Sequence, residues 1–443
     1  LNLNIRNAMA KKLLFLPILL LLVCCTQYKK ALQKLEQTAK EATTSLQPTL
    51  EDAAKKADSD YQLSEKEERL VSSSNAFSLK LFQLLANKKG KESVALSPMA
   101  VIYSLNMLNN GANGKTQAVI SKALGYTADD LEDINSLNRT MLIGQRKGGI
   151  DEQNDSSGYM ITANFLILNG QTKLLPDFQE VLEHDYFTNI IDNANTPKGK
   201  ERANKLCKTI TKGDITNLPI NLTGPRAAQL FNAVTLKTAW SLPFYKELTK
   251  SMPFRCEDGR TRQVRMMMND DTMQMYQGYN AKDYQVLLMP LQNGFSLYAI
   301  LPLKKVNLQD IIRKLTVKEL RKIAQSTKTY DNVNILFPCF STSLNIPLKQ
   351  LYGDMGLANL FSHEADFSRM SAQPLAVDDV FQQINLNVNE DGISAKAIQV
   401  THIAYLSAND NTSSFSFKAD HPFLYYILDR YNNLCFMGTY MGD

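Results

Sequence analysis

The sequence predicts an α+β fold, and three observations support this assignment. Apolar residues recur at helical spacing in the first part of the dense region that begins at about Val71. Short apolar or alternating runs bounded by Pro and Gly dominate the later part, which is typical of strands. No second linker interrupts these segments before the C-terminus, so helices followed by strands indicate one domain with antiparallel or mixed sheets.

Two amphipathic helices are expected at the start of this domain. Phe77 and Leu81 share a helix face behind the candidate caps at residues 72–74. Ser97 with the proline after it provides a cap and a first-turn proline for a second helix, which we expect to end at Gly111. The later strands are predicted in QVLLMPL, FSLYAILPL and NVNILFPCF.

Charge and composition exclude several functional classes. The chain has 443 residues, 44% of them hydrophobic, and a net charge of +5 from 49 basic and 44 acidic residues. Because the two signs are interspersed, the field is too weak to indicate a nucleic-acid partner. A mixed, solvated surface is the better interpretation.

Enzyme motifs are incomplete throughout the sequence. The run from Gly111 to Thr116 resembles a phosphate-binding loop, but Asn109 occupies the position that requires glycine, and a helix rather than a strand precedes it. His363 and Glu364 lack the second histidine of a zinc-protease helix. No Gly-x-Ser-x-Gly element is present. A hydrolase remains an alternative because catalytic triads are defined by geometry, but we expect no enzyme activity, catalytic residue, metal or cofactor.

The first 25 residues are expected to be a signal peptide. Residues 1–8 lack an initiating methionine, and we expect translation to start at Met9, which opens a basic segment. The apolar run Leu13–Val23 is too short to span a membrane but has the length of a signal-peptide core. It ends in a sequence that resembles the lipobox of bacterial lipoproteins, with Cys25 as the lipidated residue and Cys24 as the small residue before it. An ordinary cleaved secretory peptide is the alternative.

Residues 26–68 are predicted to form a flexible or partly helical tether, because they are rich in Lys, Glu, Ala, Gln and Thr and cannot supply a core. We therefore expect an exported, outer-membrane-anchored lipoprotein on the periplasmic or cell-surface side. The remaining cysteines are widely spaced, which favours buried free thiols over a zinc site or a disulfide framework. These are Cys207, Cys256, Cys339 and Cys435.

Several segments in order resemble the serpin family of protease inhibitors. The sequence EDG at 390–392, followed by Ala395 and Ala397, is similar to the serpin hinge, and FKADHPFLYYI with LCFMG resembles the closing strands. LSPMAVIYSLNMLNNGANGKT, LFNAVTLKTAWSLPF with its single Trp240, and the run from Met355 to Ser368 also match. The resemblance covers nearly all of residues 71–443.

This resemblance implies a serpin fold of about nine helices and three β-sheets in one domain, residues 69–443, with an exposed reactive loop at about 390–415. It also implies a suicide-substrate mechanism, in which a protease cleaves the loop and stays bound as an acyl-enzyme while the loop inserts into the main sheet. The implied hinge residues are Glu390, Gly392, Ile393, Ala395 and Ala397. The implied sheet-opening residues are Ser97, Asn232 and Gln382, and we expect Gln382 to bond Asn232.

Family spacing from Glu390 places the reactive bond at Leu406-Ser407, with Tyr405 before it, although a long segment after Ser407 leaves this position open by several residues. No Lys or Arg occurs from Ala397 to Phe417, so a trypsin-like pocket has no basic residue to bind. The predicted targets are chymotrypsin-, elastase- or subtilisin-like serine proteases, with papain-like enzymes as a further class.

The inserting segment departs from the family in two places. Strand alternation puts Ile393, Ala395 and Ala397 on one face and Lys396 on the other, so the only charge of the segment faces outward when the first set is buried. Ile393 stands where inhibitory serpins usually have Thr or Ser, and Lys396 where they have a small residue, so we expect slower insertion. Ala100 replaces a serine, Gln382 a histidine and Cys339 a lysine of the family. A monomer is expected, and the alternative function is a non-inhibitory serpin-fold binding module cleaved as a plain substrate.

Overall fold

The structure is a computed structural model. It describes residues 49–56, 61–147, 158–170, 172–222, 224, 226–269, 276–330, 332–394 and 413–442. The residues from Thr49 onward form one compact unit. Within the described ranges, no helix is both long and apolar enough to cross a membrane.

Ten α-helices lie in the described part of the chain. They are α1 Leu50–Lys56, α2 Glu65–Lys89, α3 Pro98–Gly111, α4 Gly114–Leu124, α5 Leu131–Lys147, α6 Pro176–Asp185, α7 Pro197–Ile210, α8 Leu308–Lys314, α9 Val317–Ser326 and α10 Lys349–Tyr352.

Helix α2 begins earlier than the apolar pattern predicts. Its N-cap is Ser64, whose side chain bonds the backbone N–H of Glu67 while the Glu67 carboxylate bonds the backbone N–H of Ser64. This reciprocal capping box satisfies two free donors, and three acidic residues in the first turn favour the positive end of the helix dipole. The expected caps at residues 72–74 therefore lie inside the helix. Part of the predicted tether, residues 49–56 and 61–68, belongs to the compact unit, and α1 packs against α5.

Seventeen strands are present in the same residues. They are β1 Val94–Leu96, β2 Tyr159–Leu168, β3 Asn189–Ile191, β4 Ala227–Ala239, β5 Lys250–Arg255, β6 Thr261–Asn269, β7 Gln277–Asn280, β8 Tyr284–Pro290, β9 Ser296–Pro302, β10 Lys328–Thr329, β11 Asn332–Pro338, β12 Phe340–Pro347, β13 Ala376–Asn389, β14 Gly392–Ile393, β15 Ser414–Lys418, β16 Phe423–Leu428 and β17 Leu434–Tyr440.

These strands form the three predicted sheets. Their strand orders are β1-β17-β16-β9-β8-β7-β10, β15-β11-β6-β5 and β12-β13-β14-β4-β2-β3. The predicted strand segments QVLLMPL, FSLYAILPL and NVNILFPCF correspond to β8, β9 and β11 with the start of β12. The mixed α+β class is confirmed.

The six-stranded sheet is covered on both faces. Leu230, Val234 and Leu236 of β4 belong to the main core, whereas Phe231 and Ala233 on the opposite face join a second core with Ala203 and Cys207 of α7. Because the sheet is covered on both faces, β4 is buried along nearly its whole length. Strand β13 runs parallel to β4 and directly beside it from Ala376 to Asn385. Beyond Asn385, at the C-terminal ends of β13 and β4, the two-residue strand β14 lies between them.

Candidate hinge and sheet-opening site

The chain turns back on itself at Glu390 and Asp391, directly after β13. The carbonyl oxygen of Glu390 accepts a hydrogen bond from the backbone of Phe244 at 3.0 Å, and that of Asp391 accepts one from the backbone of Trp240 at 3.1 Å. The Trp240 indole N–H donates to the carbonyl oxygen of Asn389 at 2.8 Å. The single tryptophan of the chain therefore holds the turn in which the hinge begins.

Two ion pairs hold the acidic side chains of this turn. A guanidinium nitrogen of Arg265 lies 2.6 Å from a carboxylate oxygen of Glu390, and the ammonium of Lys246 lies 2.9 Å from Asp391. The Glu390 side chain is 5% exposed, whereas Arg265 is 67% exposed. The charge of Glu390 is thus compensated by a residue that reaches in from β6.

Opposing effects act on the ionisation of Glu390. Burial raises the pKa of its carboxyl group, but a hydrogen bond from its own backbone and the charge of Arg265 together hold the pKa below its ordinary value. The ionised form is therefore the stable one at this site.

Cys339 lies beside this carboxylate, at the position where the family commonly has lysine. Burial, and then the charge of Glu390, raise the pKa of the Cys339 thiol to about 12. A protonated thiol cannot supply the positive charge that lysine would provide. Arg265 supplies it instead, and no local sequence pattern identifies that role. Cys207, Cys256 and Cys435 are buried free thiols as predicted, and Cys339 is half-buried and also free.

Strand β14 enters the sheet immediately after the turn. Gly392 pairs with Asn389 of β13 and Ala239 of β4, and Ile393 pairs with Val388 and Thr238, antiparallel to both neighbours. The hinge is therefore seated between the strands that would have to separate for insertion.

Gly392 meets a strict conformational and steric requirement. Its φ is +149°, and a Cβ atom there would lie 2.6 Å from the Ala239 Cα and closer still to the Thr238 carbonyl oxygen. Only glycine avoids both conflicts. The family's hinge glycine is therefore needed here for close backbone approach.

Ile393 is fully buried, with 0% of its surface exposed, and it belongs to the main core. The side chain of Ile393 therefore points into the core. Ser394 follows with a φ of +47°, and its N–H donates to the carbonyl oxygen of Asn387 at 2.6 Å. Isoleucine at this position thus anchors the hinge in an apolar slot.

The sheet-opening residues are buried and lie close together, but their bonds differ from the expected ones. The Gln382 amide accepts from the Ser97 N–H at 2.7 Å and donates to the Ser97 carbonyl oxygen at 2.8 Å. The predicted bond from Gln382 to Asn232 is therefore wrong, although the two are Cα partners in the β13–β4 ladder. The Ser97 hydroxyl donates to the Cys435 carbonyl oxygen rather than capping α3.

Asn232 is held by residues that the motif did not single out. Its side-chain oxygen accepts from the Ser104 hydroxyl, and its NH₂ donates to Asn164 on β2 at 2.8 Å. Strand β13 is thus tied to the start of α3 through Gln382, and β4 is tied to the same helix through Ser104. Opening the sheet has to release one of these ties or move α3.

The remaining predicted site residues lie outside the described residues. They are Cys25 for lipidation, Ala395 and Ala397 of the hinge, and Tyr405, Leu406 and Ser407 at the reactive bond.

Comparison with known proteins agrees with this geometry. The family model described as "Serpin (serine protease inhibitor)" matches residues 72–442. "Serine proteinase inhibitor 1" of Vaccinia virus (strain Western Reserve) is 26% identical over 81% of this chain and 98% of its own length. "Leukocyte elastase inhibitor" of Equus caballus is 28% identical over 84% of this chain and 99% of its own length.

A solved structure shows the same fold. The thermophilic serpin tengpin in its native state superposes with a TM-score of 0.74 at 23% identity, covering 86% of this chain and 96% of tengpin. The chain belongs to the serpin family of protease inhibitors.

Proposed function

We propose that this serpin inhibits serine proteases as a suicide substrate, by inserting its cleaved reactive loop between β4 and β13. Loop insertion into the main sheet is the known mechanism of the family. The observation that carries the proposal is the seated hinge: Gly392 and Ile393 already pair with both neighbouring strands. A strand continuing from Ile393 would run down the seam between them.

The protease carries out the cleavage reaction, and this chain then holds the protease in a covalent complex. The protease serine attacks the carbonyl carbon of the scissile bond, the new amino terminus departs, and the loop remains esterified to the enzyme. Insertion then carries the ester across the molecule and distorts the protease active site before water can hydrolyse the ester. Each lost oxyanion-hole donor costs the protease about 3 to 4 kcal/mol of transition-state stabilisation.

The free energy released by loop insertion is large enough to distort the protease active site. Roughly ten new backbone hydrogen bonds at about 1 kcal/mol each, together with about 2 kcal/mol for each buried isoleucine, give on the order of 10 kcal/mol. This is comparable to the stability of a whole domain.

The predicted targets follow from the loop sequence. Because no Lys or Arg occurs from Ala397 to Phe417, we propose chymotrypsin-, elastase- or subtilisin-like proteases, and papain-like enzymes as a further class. The proposed bond is Leu406-Ser407, and the mass of the released C-terminal peptide identifies the bond actually cut.

A protease panel read on a denaturing gel tests this function. We expect a covalent band of inhibitor plus enzyme with chymotrypsin, elastase or subtilisin, and no such band with trypsin. As a matched control, Ala395→Glu places a charge on the face predicted to be buried, so the variant is expected to be cleaved without forming the band. Cleavage of the unaltered chain without any covalent band would instead indicate the non-inhibitory binding module.

We further propose that the protein is an exported lipoprotein anchored through Cys25 to the outer membrane. The basic segment after Met9, the short apolar run Leu13–Val23 and the cysteine at its end support this proposal. Expression in a bacterium with radiolabelled palmitate is expected to label the chain and to fail with Cys25→Ser. Equal labelling of both would exclude this anchor.

A further inference from the structure

Helix α7 exposes basic side chains that have no acidic partner. The near balance of 49 basic and 44 acidic residues in the whole chain conceals how one-sided this helix is. All five of its basic residues are exposed, and none of them forms an ion pair within the described part of the chain. Glu201 is the only acidic residue of the helix. The five basic residues are Lys198, Lys200, Arg202, Lys205 and Lys208.

Four of these residues form what we call the basic row, namely Lys198, Arg202, Lys205 and Lys208. Their spacing of three or four residues places them on one side of the helix. At about 1.5 Å per residue the row is roughly 15 Å long. The row therefore presents a continuous positive edge to solvent.

This arrangement of charge is unfavourable for the helix itself. Like charges three or four residues apart repel each other. The first turn of α7 contains Lys198 and no acidic residue, although the helix dipole disfavours cations at that end. Helix α2, by contrast, has three acidic residues in its first turn. Natural sequences break such local rules mainly at functional sites, so the pattern indicates a binding surface.

The opposite side of α7 is fixed to the six-stranded sheet. Ala203 and Cys207 are fully buried and share a core with Phe231 of β4. Gly199 packs so closely that a Cβ atom there would lie 2.2 Å from the Asn193 carbonyl oxygen. Because the apolar side of α7 is already packed, it cannot enter a bilayer, and only the charged side is available to a partner.

A second basic stretch differs from α7 in its pairing. Helices α8 and α9 also carry lysines and arginines, but Asp310 pairs with Arg313 and Glu319 pairs with Lys322. Charges of both signs therefore alternate along these helices, as on an ordinary solvated surface. The basic row of α7 has no such compensation.

The composition of the helix indicates the kind of partner. Residues 197–213 contain five lysines, one arginine and no aromatic residue. Arginine is preferred for bidentate recognition of nucleic-acid phosphates, whereas lysine acts as a compact point charge. Single-stranded nucleic acid is usually held by stacking on aromatic side chains. Lysine-rich helix faces are typical of attraction to anionic lipid headgroups, which spread their charge over a plane.

We propose that the basic row of α7 binds the anionic phospholipid headgroups of a membrane surface. Each cation held near such a surface strengthens binding by roughly fivefold. Because the row is fully exposed, salt screens the attraction, and the binding is reversible. The domain lies on the membrane through α7 without inserting into it.

The chain enters its compact unit on a neighbouring element. The unit begins at Thr49, and α1 packs against α5. Arg146 near the end of α5 and Lys212 just after α7 both lie over the ring of Tyr159, at 5.0 Å and 4.9 Å from its centre. The lipid proposed at Cys25 would raise the effective concentration of membrane around the row. The row itself binds without that lipid.

Amine labelling of the full chain tests which lysines contact the membrane. Cys25→Ser is present throughout, so that no lipid is attached, and vesicles of pure phosphatidylglycerol are compared with vesicles of pure phosphatidylcholine. We expect phosphatidylglycerol to slow the acetylation of Lys198, Lys205 and Lys208 severalfold, and phosphatidylcholine to leave it unchanged. Salt at 1 M should remove the protection, because the screening length falls to about 3 Å.

Three lysines of the second basic stretch serve as the internal control. They are exposed, and their labelling should be the same with either lipid. They are Lys304, Lys314 and Lys318.

Two triple variants measure the contribution of the row to vesicle binding. Replacing Lys198, Lys205 and Lys208 together by glutamine should lower the partition onto phosphatidylglycerol on the order of 100-fold, whereas replacing the three control lysines by glutamine should change it far less. The N-terminal 25 residues are the same in both variants, so their contribution cancels. The α7 variant should melt no lower than the unaltered chain, because it removes like-charge repulsion. Arginine at the same three positions should retain the binding.

Several results would overturn the proposal. Equal protection by the two lipids, or an equal loss of partition in the two triple variants, would mean that overall charge or the N-terminal segment accounts for the binding. Binding of α7 to a DNA duplex but not to phosphatidylglycerol would make nucleic acid the partner. These outcomes are independent of protease inhibition and of palmitate labelling, because the chain used carries no lipid and meets no protease.

Discussion

Truncating Ile393 to alanine is expected to release the hinge strand while the rest of the sheet stays closed. The side chain is fully buried, and burying isoleucine contributes about 2 kcal/mol. Core truncations cost about 2 to 5 kcal/mol, with the lower values where neighbours can close the gap. Because β14 has only two residues and lies where β4 and β13 begin to separate, we use about 2 kcal/mol for the free energy by which Ile393→Ala destabilises the seated hinge. This change multiplies the equilibrium constant for local opening of the hinge by roughly 30.

Hydrogen exchange of the intact protein measures this opening. The Ser394 N–H bonds the Asn387 carbonyl oxygen, so a peptide covering residues 390–394 reports whether the hinge is seated. Exchange is expected to be about 30-fold faster in Ile393→Ala and roughly threefold to tenfold faster in Ile393→Val. The control Ile384→Ala truncates another fully buried isoleucine on β13 and should lower global stability without selective exchange at the hinge. Unchanged exchange in Ile393→Ala would refute the inference that this side chain anchors the hinge.

Three other results are expected. Gly392→Ala should displace β14 from the sheet completely, because a Cβ atom would collide with β4. Limited proteolysis should then cut the hinge. Resistance to proteolysis equal to that of the unaltered protein would contradict the steric argument. Glu390 has a lowered pKa in the folded protein. Its pairing with Arg265 therefore stabilises the protein fully above about pH 4.5, and this stabilisation is lost as the pH falls through the folded-state pKa. The urea midpoint of Glu390→Gln should approach that of the unaltered protein at acid pH, and a difference that stays constant with pH would contradict this. Gln382→Leu leaves the buried Ser97 N–H without its partner, while the Ser97 carbonyl oxygen keeps the Val101 N–H. The free energy of unfolding should fall by about 1 to 3 kcal/mol in urea titrations. A loss below about 0.5 kcal/mol would show that water or another group replaces the amide.

The fold class and the order of elements were predictable because apolar periodicity is local. The start of α3 at Pro98 and its end at Gly111 follow from a proline and a glycine in the chain itself. The start of α2 was missed because its first turn carries acidic rather than apolar residues. The Ser64 and Glu67 spacing was the signal that identifies it.

The partners of the site residues were not predictable in the same way. Arg265 lies 125 residues from Glu390 in the sequence, and only the approach of β6 to the hinge turn brings them together. Gln382 and Asn232 occupy one rung as ladder partners, yet their amides turn to Ser97 and to Ser104 with Asn164. Family motifs identify which positions matter, whereas packing around α3 decides which bonds they make.

The melting temperatures of intact and loop-nicked protein test the central claim most directly. If the chain beyond Ile393 is metastable outside the sheet and gains on the order of 10 kcal/mol by inserting, nicking should raise the melting temperature of a domain of this size by roughly 10 to 15 °C. Equal melting temperatures for the two forms would contradict insertion and leave only the serpin fold.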